Sequence, residues 1–63
     1  SYNICYWTTP EQAWKDLEVD QRYYYGDNLI TIVEKRDNQI TIKYYDGRIR
    51  RLSKKQALRC LRH

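Results

Sequence analysis

The stretch of sequence that decides the fold is QITIKYYDGRIRRL, residues 39–52. Its first half, from Gln39 to Tyr45, alternates apolar and polar residues strictly, as a half-buried β-strand does. Asp46-Gly47 is the strongest turn signal of the chain, because this dipeptide tolerates the positive φ angles of a two-residue type I′ hairpin. The segment 48–52 is therefore predicted to be the return strand of an antiparallel hairpin.

Two further turn clusters precede this hairpin and extend it. Residues 26–28 (GDN) separate a β-prone segment at 21–25 from a second one at 29–35. Residues 36–38 (RDN) separate that second segment from the hairpin. The chain is therefore predicted to form a twisted antiparallel meander of three or four short strands.

A helix start signal lies on each side of the meander. TPEQ at residues 9–12 combines a Thr cap, Pro at the first helical position and the Gln of a capping box, and predicts a helix to about Leu17. SKKQ at residues 53–56 is a second capping box and predicts a C-terminal helix. The predicted fold class is α+β, in one small domain spanning residues 1–63, with Ile4 to Trp7 as an extended arm packed on it.

The tyrosine run at residues 23–25 cannot be buried on one face. Alternation sends Tyr24 to one side of the sheet and its two neighbours to the other, so we expect at least one exposed ring. With Tyr45, or with Trp7 on the arm, an exposed ring could line an aromatic pocket for a peptide or a methylated cation. The alternative is core bulk, since the chain has no Phe or Met, and it is favoured for Trp14, Tyr44 and one residue of the run.

The charge of the chain is strongly uneven. Residues 1–47 carry five basic and eight acidic side chains, a net charge of −3. Residues 48–63 carry seven basic side chains and no acidic one, a net charge of +7. Such an excess indicates a negatively charged partner, which is either nucleic acid or an acidic protein surface. Lys and Arg also protect edge strands and solvate helices, so a purely structural role is the plain alternative.

The hairpin predicts where this charge lies. With a two-residue turn, Tyr45 faces Arg48 and Lys43 faces Arg50, all on the side away from the apolar residues of the strand. Arginine forks bind phosphates or guanine edges, lysines bind phosphates, and tyrosine rings stack on bases. The C-terminal helix continues the positive surface. The predicted nucleic-acid-binding residues are Lys43, Tyr45, Arg48, Arg50, Lys54, Lys55 and Arg59.

Arg51 does not fit this pattern. Counted from Ile49, alternation points Arg51 inward and Leu52 outward, which would leave an apolar residue in water. We therefore expect a β-bulge near Arg50 and Arg51 that turns Leu52 into the core.

Other functions find little support in the residues. The single histidine, His63, ends the chain, and no nucleophile with a base or glycine-rich phosphate loop can be assembled, so we expect neither an enzyme nor a cofactor. Cys5 and Cys60 lack the close spacing of a metal site. We expect them to be reduced in a cytoplasmic, nuclear or nucleoid-associated protein, although one bridge would close nearly the whole chain. No apolar run has the length of a membrane helix.

Two segments resemble the small SH3-like β-barrels of the Tudor and KOW kind: LEVDQRY at residues 17–23 and ITIKYYDG at residues 40–47. The resemblance implies a barrel whose exposed face binds nucleic acid or protein tails, with Tyr45 and Arg48 beside the matching turn. The chain departs from the pattern after Leu52, where a helix is predicted in place of a fifth strand. That departure also allows a three-stranded sheet backed by one helix, similar to sheet-type DNA readers.

Together these features predict a small basic domain that binds nucleic acid, with DNA favoured over RNA. The alternative is a protein-interaction module, such as a regulator or inhibitor that docks on an acidic partner. A homodimer or a longer parent chain fits either function.

Overall fold

The structure is a computed structural model that describes residues 9–62. These residues form a five-stranded antiparallel sheet and two short helices. The elements are α1 (Pro10–Asp16), β1 (Arg22–Tyr25), β2 (Asn28–Lys35), β3 (Gln39–Tyr44), β4 (Ile49–Ser53), α2 (Lys54–Cys60) and β5 (Leu61–Arg62). The predicted α+β class is confirmed. The arm at residues 4–7, with Cys5, and His63 lie outside the described residues.

The sheet has five strands rather than the predicted three or four. Its strand order is β4-β3-β2-β1-β5, so the first four strands form a meander and the fifth returns to β1. In β5, Leu61 pairs with Tyr25 and Arg62 pairs with Tyr24. The expected absence of a fifth strand is therefore wrong: α2 is only seven residues long, and the chain resumes an extended conformation after it.

Side-chain hydroxyls cap both helices. Thr9 accepts a hydrogen bond from the backbone N of Gln12 (3.1 Å), and Ser53 accepts one from that of Gln56 (3.2 Å). The Gln56 side chain then donates to the hydroxyl of Tyr25 (3.0 Å) rather than completing a capping box. Gln56 thus takes part in the cap of α2 through its backbone and joins the helix to β1 through its side chain.

One face of the sheet, the inner face, packs against the helices and carries the core. The central strands β2 and β3 place alternate isoleucines there, and Trp14 and Leu17 of the α1 segment and Ala57 of α2 cover them. Tyr44 and one tyrosine of the run join the core, as predicted from the lack of Phe and Met. The buried residues are Trp14, Leu17, Tyr23, Ile30, Ile32, Ile40, Ile42, Tyr44, Leu52, Ala57 and Leu61.

A lysine on the inner face fastens α1 to the sheet. Lys35 pairs with Ile40 across the β2–β3 hairpin, so its side chain lies on the core side. Its ammonium group donates to the carbonyl oxygens of Trp14 and of Leu17 (2.7 Å for Leu17) and lies 5.1 Å from the Trp14 ring centroid. A cation bound to the last carbonyl groups of a helix satisfies acceptors that the helix itself leaves open.

The turn between β3 and β4 differs from the prediction. The Tyr44 carbonyl accepts a hydrogen bond from Gly47 N (3.0 Å), and Tyr44 N donates to the Arg48 carbonyl (2.8 Å). The loop therefore has three residues, 45–47, and Tyr44 faces Arg48. A type I′ turn needs positive φ at both Asp46 and Gly47, whereas only Gly47 has it, at +96°. The predicted two-residue turn is wrong.

The extra loop residue reverses which residues of β4 point inward and which point outward, relative to the prediction. The observed register pairs Ile42 with Arg50 and Lys43 with Ile49. Directly opposite residues share a face, so Arg50 lies on the inner side with Ile42, whereas Ile49 lies on the outer side with Lys43. The predicted pairs of Tyr45 with Arg48 and of Lys43 with Arg50 are therefore wrong.

The same register explains Arg51 without a bulge in β4. The pairing with β3 is regular from Ile49 to Ser53, so Arg51 points outward and Leu52 points into the core. The predicted bulge near Arg51 is wrong. The register shift of this sheet lies in β2 instead, between Ile32 and Glu34.

Candidate nucleic-acid interface

The structure divides the predicted site residues between the two sides of the sheet. We call the inner side, with Arg48, Arg50 and α2, the helix-side surface. We call the other side, which carries Lys43, the outer sheet surface. Tyr45 lies at the tip of the β3–β4 loop and is 97% exposed. The helix-side surface thus holds five of the seven predicted residues: Arg48, Arg50, Lys54, Lys55 and Arg59.

Arginines at the end of the helix-side surface rest on tyrosine rings. The guanidinium carbon of Arg48 lies 4.5 Å from the ring centroid of Tyr44, and that of Arg50 lies 5.3 Å from that of Tyr25. Cation–π contacts of this kind orient a guanidinium while leaving its N–H groups available. Since Gln56 also binds the Tyr25 hydroxyl, one contact chain joins β4, β1 and α2 and positions Arg50 beside the helix.

Arg48 already has an acidic partner. Its Nε lies 2.9 Å from Asp46 Oδ2, and its backbone N donates to Asp46 Oδ1 (3.1 Å). That backbone hydrogen bond, together with the guanidinium, lowers the pKa of Asp46 below its ordinary range. Among the predicted site residues, Arg48 is therefore the least available to a phosphate.

Helix α2 presents basic side chains away from the core. Lys55 and Arg59, one turn apart, are exposed, whereas Ala57 between them is buried. The ammonium of Lys54 lies 5.4 Å from the ring centroid of Trp14. Both exposed residues line a groove of about 680 Å³ between α1 and α2, whose other lining residues are Pro10, Ala13, Lys54 and Leu58.

A smaller cleft continues the positive surface toward β5. It has a volume of about 320 Å³ and lies between the β1–β2 turn and the end of α2. Arg59 lines both the groove and this cleft, and Arg62 and Tyr25 also line the cleft. Basic residues therefore follow the helix-side surface from the groove to the tyrosine on which Arg50 rests.

The outer sheet surface contains basic residues that sequence reasoning missed. Arg22, Thr31, Lys43 and Ile49 form one cross-strand row through β1, β2, β3 and β4. Arg51 lies opposite Thr41 in the next row. The signal for this surface was present in the alternation of β3, but finding it required the length of the loop after Tyr44, since that length decides the face of each residue in β4.

An acidic residue on the outer sheet surface is held by a neighbour. Glu34 Oε2 lies 2.9 Å from Arg36, and Glu34 Oε1 accepts a hydrogen bond from the Thr41 hydroxyl (3.4 Å). The Arg36 hydrogen bond, and then its charge, lowers the pKa of Glu34, with a smaller contribution from Arg51. Arg36 therefore forms the ion pair with this carboxylate, whereas Arg51 lines the same small cleft without an ion pair to it.

The tyrosine run behaves as alternation predicts. Tyr23 is buried at 3% exposure, whereas Tyr24 is 46% exposed on the outer sheet surface. Leu29, 38% exposed, lies beside Tyr24 in the pairing of β1 with β2. The expectation of at least one exposed ring is confirmed, and the outer sheet surface thus mixes apolar, threonine and basic side chains.

Most of the basic residues near the C-terminus form no ion pair within residues 9–62. Two ion pairs occur among residues 9–62, Arg36 with Glu34 and Arg48 with Asp46. Six of the seven basic residues after Gly47 therefore form no ion pair with another described residue. These six are Arg50, Arg51, Lys54, Lys55, Arg59 and Arg62.

Residues 9–62 contain neither a metal-binding cluster nor a membrane-spanning helix. No group of three or more His, Cys, Asp or Glu side chains there could hold a metal ion. No helix in that part of the chain is long and apolar enough to cross a membrane. The thiol of Cys60 is free and half-buried. Neither protein-family models, nor curated proteins, nor solved structures match the chain.

Proposed function

We propose that this protein is a nucleic-acid-binding domain whose preferred ligand is double-stranded DNA. The observation that carries the proposal is the set of six basic residues that form no ion pair within residues 9–62. Positive charge that is not balanced inside a protein attracts a polyanion, and neutralised phosphates release the counterions that provide most non-specific affinity.

The helix-side surface is the main binding surface in this proposal. Lys55 and Arg59 lie one helical turn apart and contact successive phosphates. Arg50, oriented by the Tyr25 ring, presents its planar fork to a phosphate or a guanine edge. Three such contacts correspond to a slope of about −3 in log K against log salt concentration.

We also propose that the sheet curls toward an SH3-like barrel of the Tudor and KOW kind. The return of β5 to β1 supplies the fifth strand of that plan. β4 and β1 are three strand spacings apart in the sheet order, about 14 Å if the sheet were flat. The contact of Arg50 with Tyr25 across that interval supports a curled sheet.

The proposal is tested by titrating a fluorescent duplex with the full chain at several salt concentrations. We expect affinity to fall linearly with log salt, and Lys55→Ala with Arg59→Ala to weaken binding about tenfold and reduce the slope by about 2. Lys15→Glu changes the net charge by the same two units at an exposed position of α1 that lines neither the groove nor the cleft, and serves as the matched control. Salt-independent binding, or equal affinity of the double variant and the control, would overturn the proposal.

A protein-interaction module is the second candidate, and one observation favours it. Ile49 is 63% exposed and Tyr24 46% exposed among the basic residues of the outer sheet surface. Exposed apolar side chains beside charged ones are typical of protein interfaces. A stoichiometric protein partner that remains bound after nuclease treatment would favour this candidate over the first.

A further inference from the structure

The two positive surfaces face in opposite directions. Lys43 and Ile49 form a directly opposed pair on the outer side of the sheet, whereas Ile42 and Arg50 form one on the inner side. Helix α2 covers the inner side through the buried Ala57, so its exposed basic residues point away from the sheet. The core and α2 therefore separate the outer sheet surface from the basic side of α2.

The outer sheet surface has the composition and size of a duplex contact. Its row from Arg22 to Ile49 crosses three strand spacings, about 14 Å measured along the sheet, which is close to the 12 Å width of a major groove. Thr31 lies between Arg22 and Lys43, and Ile49 ends the row; such groups contact base edges and thymine methyls. Arg51 adds a charge one row further along, where the Glu34 carboxylate is paired with Arg36.

One duplex cannot contact both surfaces of so small a domain. Double-stranded DNA has a persistence length of about 50 nm, and bending even a 20–30 bp site by up to 90° costs several kcal/mol. Contact with both surfaces would require the duplex to turn around the sheet and its helices. The two surfaces therefore suit two separate duplex segments.

We propose that this domain bridges two DNA duplexes, one on the helix-side surface and one on the outer sheet surface. This inference rests on the proposed nucleic-acid-binding function. Bridging by one molecule depends on its ratio to DNA: at low ratios each domain finds two duplexes, and at high ratios every duplex is coated separately. The amount of bridged DNA should therefore pass through a maximum as protein is added.

The test uses one duplex immobilised on beads and a second, fluorescent duplex in solution, with the full chain at low salt. We expect capture of the second duplex to rise and then fall with protein concentration. The double variant Lys43→Ala with Arg51→Ala should bind the immobilised duplex within about threefold of wild type, because the helix-side surface is intact. Its capture of the second duplex should fall at least tenfold.

The control variant is Lys15→Glu, which changes the net charge by the same two units at an exposed position of α1 that lines neither the groove nor the cleft. It should retain both binding and capture. Wild-type protein that binds the immobilised duplex but captures no second duplex at any ratio would overturn bridging and leave the proposed function standing. Undiminished capture by the double variant would also overturn it, since self-association would then be the bridge. Failure to bind the first duplex would instead refute the proposed function.

Discussion

Strands β3 and β4 are neighbours in one sheet, yet they distribute their residues by opposite rules. β3 places Ile40, Ile42 and Tyr44 inward, where all three are buried, and its polar residues outward. β4 places Arg50 inward, opposite Ile42, and Ile49 outward at 63% exposure. An inward arginine beside an outward isoleucine is the reverse of ordinary amphipathic patterning.

The difference has a local cause. β3 is a central strand whose inner face is covered by the core, whereas β4 is the terminal strand of the sheet order. Only its last inward residue, Leu52, lies fully within the core. Nearer the loop the inner face ends in tyrosine rings, and a guanidinium on a ring costs little because its polar groups stay hydrated. The core therefore covers the inner face along the whole of β3 but reaches β4 at Leu52 alone.

The largest expected effect is a difference in the free energy of unfolding between Ile42→Ala in β3 and Ile49→Ala in β4. Ile42→Ala deletes a side chain with 0% exposure and should lower the free energy of unfolding by about 2–5 kcal/mol. Ile49→Ala removes an exposed side chain and should change it by no more than about 0.5 kcal/mol. Urea unfolding of both variants measures the difference. Equal losses would contradict the assigned register.

The next effect concerns the loop that sets this register. Gly47 has φ +96°, and a Cβ there would meet no atom within 4 Å. Gly47→Ala should therefore be destabilising by about 1–2 kcal/mol through backbone conformation alone. Gly47→Asn should recover part of the loss, because Asn tolerates positive φ better than Ala. A neutral Gly47→Ala in urea unfolding would instead favour a different loop conformation.

The positions of the strands could be predicted from the sequence better than the side of the sheet on which each residue lies. The alternation of β3 and the three turn clusters followed from local patterns, and the turn at residues 26–27 has two residues, with positive φ at Gly26. Asp46-Gly47 fits two turns of different length: a two-residue type I′ turn, and a three-residue loop whose last residue has a positive φ. The choice between them depends on where Leu52 packs, which is a tertiary matter. Because the predicted loop was one residue too short, the prediction put Arg48 and Arg50 on the outer side of the sheet, whereas they lie on the inner side. The basic residues therefore form two surfaces and not the single face that was predicted.

A smaller effect compares the two arginines next to each other in β4. Arg50 rests on Tyr25, so Arg50→Ala should lower the free energy of unfolding by about 0.5–1 kcal/mol. Arg51 lies outward on the other side, and Arg51→Ala should change it by less than about 0.5 kcal/mol. Thermal unfolding at equal ionic strength checks the order of the two variants. The reverse order would show that the cation–π contact contributes nothing to folding.

The smallest expected effect on stability concerns Asp46, whose carboxylate pairs with Arg48 just before β4. Its pKa is lowered in the folded state, so its contribution to stability is present above the ordinary Asp pKa of about 3.9 and is lost as the pH falls through the folded value. Asp46→Asn keeps an oxygen acceptor for the backbone N of Arg48 but removes the charge. The variant should therefore be slightly less stable than wild type at pH 7 and equal to it in strong acid. Glu34→Gln is the control for the pH dependence, because the pKa of Glu34 is also lowered in the folded state.

At pH 7, Asp46→Asn should also strengthen duplex binding and raise the salt slope by about 1, since it frees Arg48 for a phosphate. Unchanged duplex affinity would show that Arg48 stays with Tyr44 and does not reach DNA.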